Sequence, residues 1–409
     1  MKINLVMIVK NEERSIERSL SAVAPLVNDM VIVDTGSTDR TKDIVKRIGN
    51  RHAGGTLRLY DYEWQDDFSA ARNFALEKSD TDGAADYNLV LDADEYLQPF
   101  LMREFYAFIH RMEDKYGKNW SGAIKRIDSF GEGDAARITA IVRLHPAGVR
   151  YRGVIHEQPV TSGPCILTSL VAEHDGYLQK GKGERNLEYL RRTLEETPGD
   201  PYLNYQMGIT LRNLGQNTDS LPYFEKFYRS VNTEKAGDNG DIAKASDRTV
   251  AESVEDTKCA DDLQDENGSE YVTDGILQYL YALKDTGTEQ NLNLALHIVE
   301  AEEGRFTFST DFYFYCALFY VELVKSDIAR YMDYLPRIEA CYQKCLEIGE
   351  GSGMSGVVGT GSFLALYNLG LWYELNNQMK QALSCYRKAE EMGYAPAEER
   401  RRHLDPESE

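Results

Sequence analysis

MVIVDTGSTDRTKDIVKRI, residues 30–48, decides how the first part of the chain folds. Met30 to Val33 is a short apolar run rich in β-branched side chains, the signature of a buried strand. It stops at Asp34, and the polar run Asp34-Thr35-Gly36-Ser37-Thr38-Asp39 follows with no spacer. Ser37 and Thr38 then stand ahead of residues 41–48 as candidate helix N-caps. A strand that passes through a polar turn into a helix is half of a βαβ unit.

The same pattern extends on both sides. Residues 3–9 form a continuous apolar strand, and residues 12–26 place Ile16, Leu20 and Val23 at helical spacing. Residues 57–60 give a third strand, 68–77 a helix, and 87–91 a fourth strand that ends in Asp92-Ala93-Asp94-Glu95. Residues 122–127, 139–144 and 165–171 add further strands. Over residues 1–184 the expectation is therefore an α/β domain on a mostly parallel, Rossmann-like sheet.

From Arg185 the pattern turns helical. Residues 201–234 carry Met207-Gly208, Leu211, Gly215, Phe224 and Phe227, and residues 363–396 echo them with Leu369-Gly370, Tyr373, Ala382, Tyr386, Ala389 and Pro396. Both fit the tetratricopeptide pattern, in which small and aromatic positions let two antiparallel helices pack. Residues 185–409 are thus expected to be an all-α, tetratricopeptide-like domain. Residues 232–270, rich in Asp, Glu, Gly, Ser and Lys, are expected to be a flexible insertion.

The charge balance excludes some partners. Lys and Arg number 46 against 67 Asp and Glu, a formal net charge of −21. Such a surface repels a phosphate backbone, so nucleic acid is not an expected partner. No apolar run reaches the ~20 residues of a membrane span, and the start, MKINLVMIVKNEERS, has the charge and patterning of a strand and helix rather than a leader. A cytoplasmic location is expected. The six cysteines show no CxxC spacing, which points to reduced thiols.

The chemistry concentrates at three strand ends: Val9-Lys10-Asn11-Glu12-Glu13, Asp34 to Asp39, and Asp92 to Glu95. In an open α/β sheet the carboxyl ends of the strands form the ligand crevice. Asp34 can accept a hydrogen bond from a base or ribose. Asp92 and Asp94, alternating along an extended segment, can project to one side and hold a hard divalent cation against a diphosphate.

Taken in order, VKNEE, VDTGSTDRT, DFSAARNFAL and LDADEYL resemble the motifs of family-2 glycosyltransferases, which adopt the nucleotide-diphospho-sugar transferase (GT-A) fold. The resemblance covers residues 1–177. It implies that Val9, Asn11 and Glu12 line the nucleoside site, that Asp34 contacts the uracil of a UDP-sugar, and that Arg72 and Asn73 lie near the ribose or diphosphate. It also implies that Asp92 and Asp94 form the motif for Mn²⁺ or Mg²⁺, with Asp94 the direct ligand.

Downstream, Arg150 to Pro159 contains His156-Glu157, and an inverting transfer needs a base for the acceptor's proton. Glu157 is the first candidate and His156 the second, while His174 can complete a metal shell. The helical repeats, RGVIHEQP and HDGY together make the chain similar to sublancin-type bacterial peptide glycosyltransferases, implying a peptide or protein acceptor modified at Cys or Ser. A cell-surface glycan or lipid-linked saccharide is the alternative acceptor, and an inactive repeat scaffold the alternative of another class. The exposed faces of such repeats leave room for a homodimer.

Overall fold

The computed structural model describes residues 1–50, 55–129, 136–175, 182–238, 263–351 and 355–405. Among these, contacts group the chain into two compact units. The first takes its residues from Met1–Ser129, Thr139–Gln206 and Arg229–Tyr271, and the second from Phe130–Ile138, Met207–Tyr228 and Val272–Glu409.

The first unit is built on strands β1 (Ile3–Val9), β2 (Asp29–Asp34), β3 (Leu57–Asp61), β4 (Tyr87–Val90), β5 (Glu95–Leu97), β6 (Ser121–Ser129), β7 (Ala136–Pro146), β8 (Arg150–Arg152), β9 (Gln158–Val160) and β10 (Cys165–His174). The main sheet runs β3-β2-β1-β4-β7-β6-β10-β5, while β8 and β9 form a separate hairpin. Helices α1 (Ile16–Val23), α2 (Thr41–Gly49), α3 (Phe68–Thr81) and α4 (Met102–Tyr116) connect the early strands, and α5 (Lys182–Glu196) follows the last one.

Strands β1, β2 and β4 are mostly apolar because both of their faces are covered, while β3, at the sheet edge, is half-buried and carries Arg58 and Asp61. Leu5, Met7, Ile32 and Leu89 pack with Leu20 and Val23 on one face, and Val6, Val33 and Val90 pack with Ala75 and Leu76 on the other. These four strands are parallel, with Val9 opposite Asp34 and Asp34 opposite Asp61, so their carboxyl ends share one edge. Beyond them the sheet is mixed, not mostly parallel as expected. β7 runs antiparallel to β4, β6 and β10 are parallel, and β5 is antiparallel to β10. A parallel neighbour needs a crossover. Among the described residues no helix intervenes between Ser121 and His174 to supply one of the α/β kind.

The second unit is helical. Its two sequence repeats share a packing device. A Cβ on Gly208 would lie 2.7 Å from the Phe224 ring, and one on Gly370 would lie 2.6 Å from Tyr386. Each glycine thus lets an aromatic ring sixteen residues later rest on the helix backbone, between Pro201–Asn213 and Asn217–Asp238 and again between Phe363–Leu375 and Met379–Glu391. The expected insertion at residues 232–270 falls partly on described helix. Residues 232–238 finish one helix and residues 263–270 begin Leu263–Thr286, and residues 239–262 lie outside the described residues. Among the described residues no helix is long and apolar enough to cross a membrane.

Candidate active site

The shared carboxyl edge of β1, β2 and β4 assembles the three polar strand ends. At β2, the Oδ1 of Asp34 accepts from the backbone N–H groups of Gly36 (3.0 Å) and Ser37 (2.8 Å). Gly36 has φ +105°, a conformation that favours glycine. The other carboxylate oxygen, Oδ2, is buried and accepts nothing from the described residues. A buried acceptor without a donor is costly, and here it sits where a ligand can supply the donor.

The turn after β1 is laced to the turn after β2. Thr35 N–H donates to the carbonyl of Val9, Asn11 Oδ1 accepts from Thr38 N–H at 2.8 Å, and Asn11 N–H donates to Ser37 Oγ. Glu12 N–H donates to Thr41 Oγ1, and its carboxylate accepts from Ser15 Oγ at 2.8 Å. Val9, Asn11 and Glu12 therefore shape the rim around Asp34, and the Asn11 and Glu12 side chains take part in holding it.

Arg72 projects from α3, whose N-terminus is capped by the Asp67 carboxylate accepting from Ala70 N–H. Its guanidinium donates to Glu157 Oε1 at 2.7 Å and to Asp92 Oδ1 at 3.0 Å, over the ring of Tyr151. Its Nη1 is buried and has no partner among the described residues. The neighbouring Asn73, expected near the ribose or diphosphate, grips the backbone of Tyr151. Its amide donates to the carbonyl of Tyr151 (2.8 Å) and accepts from that residue's N–H (2.7 Å), tying the β8–β9 hairpin to α3.

That hairpin presents His156 and Glu157. His156 has φ +51°, uncommon for a residue with a side chain and a source of local strain. Burial lowers its pKa to about 4, so the ring is neutral, and its Nε2 is buried without a partner. Gln158 donates to the His156 carbonyl and, at 2.6 Å, to the Tyr202 hydroxyl.

From Glu157 a chain of alternating charge runs through the site. Arg72 links Glu157 to Asp92, and Arg143 links Asp92 Oδ2 (2.7 Å) to Glu95 (2.5 Å). Arg126 stands 3.6 Å from Glu95 and 2.9 Å from Asp128. Asp128 holds His174 Nδ1 at 2.7 Å, and His174 Nε2 lies 3.7 Å from Asp94. Desolvation works against charge on Asp92, yet Arg143 and Arg72 outweigh it and hold the carboxyl well below the usual range. Desolvation likewise disfavours the His174 imidazolium, but hydrogen bonds to Asp128 and Asp94 lift its pKa to about 9.

Both oxygens of Asp92 are thus engaged by guanidinium groups, which sets it apart from Asp94 as a metal donor. Among the described residues no three His, Cys, Asp or Glu side chains converge as a metal cluster. Asp94 and His174 face each other, and one carboxylate plus one imidazole suits a divalent ion whose remaining ligands are phosphate oxygens and water.

Sequence reasoning passed over Glu95, Arg126, Asp128 and Arg143 as actors. Arg126, Asp128 and Arg143 are charges inside strand segments, a pattern that also fits a solvent-facing position, and only the neighbouring strands reveal their partners.

Residues 5–117 match the model of glycosyl transferase family 2. The chain is 29% identical over 227 residues to a TPR repeat-containing protein of Synechococcus elongatus, covering 51% of this chain and 51% of that protein. It is 24% identical over 247 residues to the SPbeta prophage-derived glycosyltransferase SunS of Bacillus subtilis, covering 56% and 53%. An uncharacterized glycosyltransferase of Rickettsia bellii is 30% identical over 116 residues, 28% of this chain and 35% of that one. The chain spans about half the length of the first two relatives. The family-2 domain, followed by an all-helical, tetratricopeptide-like region, is the architecture anticipated from the motifs.

Proposed function

We propose that the chain is a metal-dependent, inverting glycosyltransferase that moves a hexose from a UDP-sugar to a Cys or Ser side chain of a peptide or protein. Residues 1–184 would form the catalytic domain and residues 185–409 the helical domain. One observation carries this reading: the sheet edge within the family-2 match holds a buried acceptor, Asp34 Oδ2, and a buried donor, Arg72 Nη1, each without a partner among the described residues. A pyrimidine N–H answers the first and a diphosphate oxygen the second.

In the proposed reaction the acceptor thiol or hydroxyl loses its proton to Glu157 while its sulfur or oxygen bonds to the anomeric carbon. The bond from that carbon to the β-phosphate oxygen breaks, and UDP leaves with the electron pair. Arg72, fixed between Glu157 and Asp92, donates to the departing diphosphate. A divalent ion held by Asp94 and His174 would offset charge on that leaving group. His156, neutral beside Glu157, is the alternative proton acceptor. The name of SunS supports the choice of glycosyl transfer, and the peptide acceptor rests on the motif resemblance.

The test is a mass-shift screen of Cys- and Ser-containing peptides against a panel of UDP-hexoses with Mn²⁺, Mg²⁺ or EDTA. Transfer that depends on the metal supports the reading. Transfer undiminished in EDTA would remove the metal, and an inert protein across the panel would remove the acceptor class.

A further inference from the structure

Strand order β6-β10-β5 brings three polar residues into one row. His174 on β10 is paired with Asp128 on β6 and with Glu95 on β5, and Asp94 immediately precedes Glu95. Register alone therefore delivers the His174 ring to Asp128 on one side and Asp94 on the other. Asp128 is only 1% exposed, and its carboxylate is held in turn by Arg126 (2.9 Å) and by His174 Nδ1 (2.7 Å). With Nδ1 committed to Asp128, Nε2 is the nitrogen turned toward Asp94 Oδ2, 3.7 Å away.

We infer that Asp128 is a positioning residue that fixes the orientation and tautomer of His174, so that Nε2 and Asp94 together receive the divalent cation. The inference rests on the metal-dependent reading above and adds to it a residue outside the four motifs. The physical logic is that of a carboxylate–histidine–metal relay. A carboxylate behind the ring removes the ring-flip alternative and raises the basicity of the ligating nitrogen, and its loss typically weakens metal binding by about 10–100-fold. Arg126 keeps Asp128 from rotating away, which explains a half-buried arginine so near a cation site.

The experiment titrates Mn²⁺ and Mg²⁺ by calorimetry into the UDP-bound full-length chain, wild type and Asp128→Asn. The expected result is a fall in Mn²⁺ affinity of about 10–100-fold, a smaller fall for Mg²⁺, which prefers oxygen donors, and metal-free UDP binding within about twofold of wild type. Unchanged Mn²⁺ affinity overturns the inference. An equal loss for Mn²⁺, Mg²⁺ and metal-free UDP also overturns it, because that is what a scaffold residue gives. Wild-type protein that takes up no Mn²⁺ strikes the metal reading itself, before any variant is made. If Asp128→Asn does not fold, Mn²⁺ broadening of the His174 imidazole signals in wild-type protein decides the matter. Selective broadening with Nδ1 still protonated supports the relay, and untouched signals refute it.

Discussion

Replacing Arg143 with methionine cuts the charge chain at its most enclosed point. Arg143 bridges Asp92 and Glu95, and Glu95 is 0% exposed while the Asp92 side chain is 37% exposed. Asp92 keeps Arg72 and has water for relief. Glu95 keeps Arg126, at 3.6 Å, and the Asp92 backbone N–H, at 3.1 Å, and is shut off from water. Breaking a buried pair from one side typically costs about 3–5 kcal/mol, and the residual Arg126 contact places Arg143→Met at the lower end, about 3 kcal/mol. For a domain of this size that corresponds to a fall in Tm of roughly 6–12 °C. Trp64 and Trp120 report on the α/β unit, so urea unfolding followed by fluorescence in a Trp372→Phe background isolates the effect. The loss also has a pH signature. Asp92 titrates below its usual range in the folded protein, so its contribution is complete above the unfolded value near ~4 and is lost as pH falls further. The gap between wild type and variant therefore holds from pH 7 down to about pH 4 and shrinks below it. A gap under about 1 kcal/mol at pH 7, or one that does not change with pH, would refute the reasoning.

Asp34→Ala removes the unpartnered acceptor and should weaken UDP binding by about 1.5–3 kcal/mol, roughly one to two decades, as read by calorimetry against other nucleoside diphosphates. Equal binding across bases and variants would place the base elsewhere. Glu157→Gln retains an oxygen for Arg72 but loses the proton acceptor, so transfer should fall by about 10²–10⁴-fold with UDP affinity little changed. Should His156→Ala be the inactive variant instead, the base is His156. Gly370→Ala drives a methyl against the Tyr386 ring and should destabilise the helical unit by about 1–3 kcal/mol, with Gly208→Ala doing the same against Phe224. Denaturation curves matching wild type would show that the wedge is not tight.

Legibility in the sequence followed periodicity. Strands buried on both faces and helices with one apolar face announce themselves, so β1 to β4 and the helices between them lie within a few residues of their expected places. The existence of β6, β7 and β10 was legible and their direction was not, because antiparallel pairing leaves no mark on a strand's own residues. Site residues at turns were legible because Asp34, Asp92 and Asp94 interrupt apolar runs. Arg126, Asp128 and Arg143 were not, since a charge in a strand looks like a solvent-facing position until its neighbours are known. Asn73 shows the opposite limit: it belongs to a recognisable motif, but its amide is spent on the backbone of a hairpin some eighty positions away.

That two-point grip has a consequence for how the protein can change. Tyr151 is held by its main chain, so the hold does not depend on which side chain stands there. The hairpin therefore inherits its placement from α3, the same helix that carries Arg72, and Arg72 and Glu157 are indexed to one rigid body. Side-chain drift on the hairpin can therefore proceed while the Glu157 carboxylate stays in register with the Arg72 guanidinium, because neither main-chain bond reads a side chain of the hairpin.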